Sequence, residues 1–158
     1  MKTRDLFLIA CLVAAGAIWF AGWSGEAEEI DPGLESSDVV LPVAACDPGV
    51  ATCYLDLPGD GRMIVEFSAH PPQALRPFIA RATLEPSDEV RGVQLNLSGV
   101  DMDMGIIDHT LQKDDDGSFK GEVVLPICVT GVMRWQADFI VEYADTRVVV
   151  PLIFSNGK

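Results

Sequence analysis

Met133–Tyr143 reads MRWQADFIVEY. Met133, Trp135, Ala137, Phe139, Val141 and Tyr143 share one face, and Arg134, Gln136, Asp138, Ile140 and Glu142 share the other. Side chains along a strand alternate between faces, so this period of two predicts a long half-buried β-strand. No helix places these residues on one side. The same alternation recurs outward in both directions. Val148, Val150, Leu152 and Phe154 repeat it toward the end of the chain. Upstream it appears in Met63, Val65 and Phe67, in Val93, Leu95 and Leu97, and in Phe119, Gly121, Val123 and Leu125. Shorter candidates are 52–57, 78–84 and 106–112.

Turn chemistry separates these runs: Pro58-Gly59-Asp60-Gly61, Pro71-Pro72, Pro86-Ser87-Asp88 and Asp114-Asp115-Asp116-Gly117. The last ends in Asp-Gly, a strong hairpin signal. Roughly seven to eight short strands at this spacing predict an all-β, immunoglobulin-like antiparallel sandwich over residues 46–158.

The start of the chain has a different character. Leu6–Trp23 is eighteen residues without a charge, preceded by Lys2 and Arg4. As a helix it is about 27 Å long, close to the ~30 Å hydrocarbon core of a bilayer. Trp19, Phe20 and Trp23 fall where an interfacial aromatic belt sits. Residues 1–23 are therefore expected to form one N-terminal transmembrane helix. The competing reading is a signal peptide cleaved near Gly25-Glu26-Ala27. The basic residues favour a cytoplasmic N-terminus, which places the rest in the periplasm of a bacterium, at the inner membrane. Residues 24–45 hold Glu26, Glu28, Glu29, Asp31, Glu35 and Asp38 with no apolar period, and read as a flexible acidic tether.

With Lys2, Arg4 and Asp5 left behind, the exported part has nine basic and twenty-three acidic residues, a formal charge of −14. Such a surface repels nucleic acid and anionic lipid headgroups. An oxidising compartment permits a disulfide among Cys46, Cys53 and Cys128. Cys46 and Cys53 flank the turn Asp47-Pro48-Gly49, so this local bridge is the first expectation; a link from either of them to Cys128 is the second.

Gly99-Val100-Asp101-Met102-Asp103-Met104-Gly105 is the candidate site, with His109 behind it. Thioether, thiolate and imidazole suit Cu(I). In a strand Met102 and Met104 point to the same side, and His109, with Cys128, completes the candidate donor set. Trp135 is placed to lie over such a cation. Core packing, with Met102 and Met104 as plugs at one end of the sandwich, accounts for the same methionines without a metal. No nucleophile elbow, Walker loop or H-E-x-x-H motif occurs, and the chain has two histidines, so it is expected not to be an enzyme.

Three segments resemble the FixH and YtkA-like family: GVDMDMG (Gly99–Gly105), DGSFKGEVVLP (Asp116–Pro126) and GVMRWQA (Gly131–Ala137). The resemblance covers about Val90–Phe154. It implies a membrane-anchored periplasmic β-sandwich, linked to maturation of copper-containing haem oxidases. The implied role is a non-enzymatic accessory subunit or assembly factor of a respiratory membrane complex. A periplasmic Cu(I) carrier or chaperone and a structural interaction module without metal are the alternatives. The cysteines Cys46, Cys53 and Cys128, and Asp103 between the methionines, depart from the family's pattern.

Overall fold

The computed structural model describes residues 37–127 and 132–157. The transmembrane helix expected over Leu6–Trp23 lies outside the described residues, and so does Cys128. Nine strands follow in chain order: β1 (Ser37–Val40), β2 (Cys53–Leu57), β3 (Gly61–Phe67), β4 (Phe78–Glu85), β5 (Gly92–Gly99), β6 (Ile106–Lys113), β7 (Phe119–Val123), β8 (Arg134–Glu142) and β9 (Thr146–Ser155). The spatial order is β1-β9-β8-β5-β6-β7-β4-β3-β2. Among the described residues there is no helix.

β6 turns this ladder into a curled sheet with two facing halves. Its first part pairs with β5, from Ser98 opposite Ile106 to Val93 opposite Leu111. Its last two residues pair with β7, Gln112 with Lys120 and Lys113 with Phe119. The chain can bend sharply there because Gly121 leaves room: a Cβ on Gly121 would lie 2.6 Å from Leu111 Cδ2. The inner faces of both halves then share one core.

That core is built from the alternating residues. Trp135, Ala137, Phe139 and Val141 of β8 are buried, as are Val93, Leu95 and Leu97 of β5 and Val148, Val150, Leu152 and Phe154 of β9. Phe67 joins the halves. Its ring lies 5.1 Å from Phe154 on one side and 5.0 Å from Phe78 on the other, in tilted or edge contacts favoured by the ring quadrupole. Each such side chain removes about 1.5–3 kcal/mol worth of apolar surface from water.

Every neighbouring pair is antiparallel except β1 with β9, which is parallel. β1 lies inside the stretch whose composition reads as tether. Ser37–Val40 pairs with Thr146–Val149, and Leu41 and Ala44 continue the contact by donating N–H to Val149 O and Pro151 O. The ladder breaks at Pro42, which has no N–H to give. Two proline peptides are cis, His70–Pro71 and Glu85–Pro86, both in turns between strands.

The chain then crosses to the opposite edge of the sheet. Asp47 Oδ1 accepts the Gly49 N–H at 2.7 Å, and Cys46 is disulfide-bonded to Cys53, the first residue of β2. This is the local bridge expected from the turn between them. β1 and β2, adjacent in sequence, are thus the two edges of the curled sheet.

Candidate functional site

The GVDMDMG segment has the letters of a strand and the structure of a loop between β5 and β6. Side-chain bonds displace the ladder here. Asp101 accepts the Arg134 backbone N–H at 2.9 Å, Arg134 Nε at 3.1 Å and Arg134 Nη2 at 2.6 Å. Val100 donates its N–H to Arg134 O at 3.0 Å. Asp103 Oδ1 accepts the Gly105 N–H at 3.0 Å, and Gly105 takes φ +75°, a left-handed value that glycine adopts without a Cβ clash. The loop is therefore clasped to the first residue of β8.

The clasp separates the two methionines expected to point the same way. Met102 is 42% exposed, whereas Met104 turns inward and packs against the core. The loop folds back over Gly99, where an added Cβ would lie 2.3 Å from Met102 O and 2.4 Å from Met133 Cε. Met133 is buried beneath it, its backbone bonded both ways to Asn156: Met133 N–H to Asn156 Oδ1, and Asn156 N–H to Met133 O.

His109 sits opposite Leu95, on the side of β6 that carries Leu111 inward. It lies three residues, roughly 10 Å, along β6 from Ile106 at the end of the loop. Its Nε2 is buried without a hydrogen-bond partner. Trp135, opposite Gly99, is fully enclosed, and its Nε1 likewise has no partner. Met104 and His109 both face the core side, and Met102 does not join them. Among the described residues, no three His, Cys, Asp or Glu side chains gather as a metal site would require.

Two carboxylates of the acidic hairpin at 114–117 are paired with cations. Asp114 is paired with Lys120, whose proximity holds its carboxyl below the ordinary range. Asp116 is held down to about 2, first by the Ser118 hydroxyl and backbone N–H, then by Lys120 and Arg81. Arg81 reaches it at 3.0 Å. These carboxylates are committed to the turn, as expected of a hairpin tip.

The feature that periodicity did not show is apolar exposure around the clasp. Val100, Met102, Ile106 and Val132 are 39, 42, 67 and 47% exposed, all at the end of the sheet where β5 stops and β6 and β8 begin. Ile106 pairs with Ser98 on the outward-facing register, and Val132 is two residues before Arg134. The opposite end carries Asp60, Asp88, Glu89, Asp114, Asp115, Asp116 and Asp145 in its turns. The signal for this asymmetry was present: seven acidic residues stand in the turns at one end, against Asp47, Asp101 and Asp103 at the other, where Val100, Met102 and Val132 lie in the loops.

Fold and site together define an all-β domain of curled-sheet architecture with an apolar, clasped loop at one end and acidic turns at the other. No family model, curated protein or solved structure matches the chain.

Proposed function

We propose that this chain is a membrane-anchored, extracytoplasmic and non-enzymatic accessory subunit or assembly factor, serving a respiratory membrane complex of oxidase type. The observation that carries the reading is the clasp between Asp101 and Arg134. It joins two of the three segments on which the resemblance to FixH and YtkA-like proteins rests, and it holds aliphatic side chains out in solvent. A loop fixed in this way is preorganised for contact with another protein. The Cys46–Cys53 bridge supports an oxidising compartment. An immunoglobulin-type arrangement of the domain is supported by the antiparallel pairing and by the β4-to-β5 and β7-to-β8 crossings between the two halves. Helix Leu6–Trp23 would hold the domain at the inner membrane, and recovery of intact N-terminal peptides from the mature protein tests that retention.

The function is tested by isolating the full-length protein from membranes in mild detergent. Co-isolation of a defined membrane complex, reduced by Val100→Asp or Ile106→Asp, supports the proposal. A protein that runs alone under all such conditions sinks it.

One observation favours a second reading, a Cu(I) carrier: the unpartnered Nε2 of His109 on the same side as Met104. Imidazole nitrogen and thioether sulfur would hold the soft cation. Titration of Cu(I) against a competing chelator decides it. Binding that survives Met104→Leu together with His109→Gln removes this donor set.

A further inference from the structure

We propose that Ser37–Ala45 is a releasable length of chain, and that the Cys46–Cys53 disulfide is the stop that limits its release. β1 is the weakest-held strand described. Of its residues, Asp38, Val39 and Val40 are all exposed, whereas every other strand buries at least one side chain. It is hydrogen-bonded on one side only, to β9. Besides its parallel backbone ladder to β9, its side-chain fastening is one ion pair, Asp38 with Arg147 at 2.7 and 3.0 Å, in which both side chains are about half exposed. Exposed pairs of this kind contribute little. Beyond it, two backbone bonds, Leu41 to Val149 and Ala44 to Pro151, and the partial burial of Leu41 and Ala44 hold the rest. Local openings of such segments cost far less than global unfolding.

Topology gives the disulfide its part. The two edge strands of the curled sheet, β1 and β2, are consecutive in sequence. A pull on the chain before Ser37 strips β1 from β9 and is transmitted through the 46–52 turn to β2, which is also held on one side only, by β3. The disulfide shortens that path: it carries the pull straight from Cys46 to Cys53 and keeps the 47–52 turn from adding its own length. Cys53 is fully buried and pairs with Val65, and the bond keeps Cys46 Cα 5.8 Å from Cys53 Cα whatever happens upstream. Nine residues, 37–45, are free to leave. At about 3.3–3.6 Å per extended residue they lengthen the connection by roughly 30 Å. The inference rests on the anchor reading only for the origin of the pull; release and stop are properties of the domain.

Hydrogen exchange on the full-length chain in mild detergent tests it. The Leu41 and Ala44 amides are expected to exchange at least about a hundredfold faster than the Ala137 amide in the centre of β8. Arg147→Gln, with the disulfide intact, should speed Leu41 and Ala44 further and leave the β2 amides unchanged. Cys46→Ser should speed the β2 amides by about tenfold or more beyond whatever the overall loss of stability does to Leu95 and Ala137. Protection of Leu41 and Ala44 equal to that of Ala137 overturns the release. Acceleration of β2 in Arg147→Gln overturns the stop, and this arm does not depend on how well the cysteine variant folds. Loss of the anchor would appear separately, as missing N-terminal peptides.

Discussion

Asp101 and Arg134 lie thirty-three residues apart in sequence and meet through the guanidinium and the backbone N–H of the arginine. Their contact decides the shape of the GVDMDMG segment. A carboxylate that accepts three donors from one residue holds the loop against β8, and the strand that the letters suggest does not form. The Arg134 hydrogen bonds also hold the Asp101 carboxyl below its ordinary range.

The sign of that shift sets a pH dependence. A lowered folded-state pKa means the clasp is complete above the ordinary carboxylate range and is lost as pH falls through the lowered value. Carboxyl NMR titration should place Asp101 below a free aspartate, and Arg134→Gln should return it upward. Asp101→Asn should broaden or shift the Met102 methyl resonance while Leu95 and Ala137 stay fixed.

Asp116 gives a second titration. Its carboxyl is expected to titrate near 2, and Ser118→Ala to raise that value, since the Ser118 bonds are the main cause. The contribution of the turn to stability is then present above about pH 4 and disappears as pH falls through 2. An Asp116 that still titrates near 2 in the Ser118→Ala variant would transfer the effect to the backbone N–H of residue 118, Lys120 and Arg81.

Gly99→Ala should destabilise by about 1–3 kcal/mol in urea unfolding, because its Cβ meets the Met102 carbonyl, part of the clasped backbone. Gly121→Ala should cost less. The atom its Cβ meets is the end of the Leu111 side chain, which has rotamers to move into. Equal losses in the two variants would contradict a rigid loop.

Cys46→Ser should lower stability by about 2–3 kcal/mol, the chain-entropy estimate for so short a loop. The seven-residue separation of Cys46 and Cys53 keeps the figure at the lower end. Denaturant midpoints of the variant and the oxidised wild type measure it.

His109→Leu should be neutral or stabilising by up to about 1 kcal/mol in metal-free protein, since the variant removes a buried nitrogen without a partner. A clear loss of stability would show that Nε2 has an acceptor role that the fold depends on.

The core strands were legible in the letters. Trp135, Ala137 and Phe139 alternate with Arg134, Gln136 and Asp138, and an apolar face two residues in period has one way to be buried. The hairpin at Asp114–Gly117 was legible for the same kind of reason, a local turn preference that needs no distant partner; Gly117 takes φ +82° there. Cys46 and Cys53 were legible because the turn between them is short. β1 was not. Asp38 and its neighbours carry no apolar period, and what makes them a strand is β9, whose Arg147 lies 109 residues downstream. The loop form of the methionine segment was not legible, because period two cannot register a side-chain bond to Arg134. Asp101 and Asp103 look like solvent-facing strand residues until their acceptors are satisfied by Arg134 and Gly105.

By itself, then, the sequence determined the all-β class, most of the strands, the hairpin tip and the local disulfide. Each of these follows from residues that are neighbours along the chain. Tertiary structure alone decided which strands are edges, that Met102 and Met104 part company, that apolar side chains gather around the clasp, and that β1 hangs on β9 with the disulfide at its root. These depend on contacts between residues far apart in sequence, whose free energy is realised only when the curled sheet brings them together.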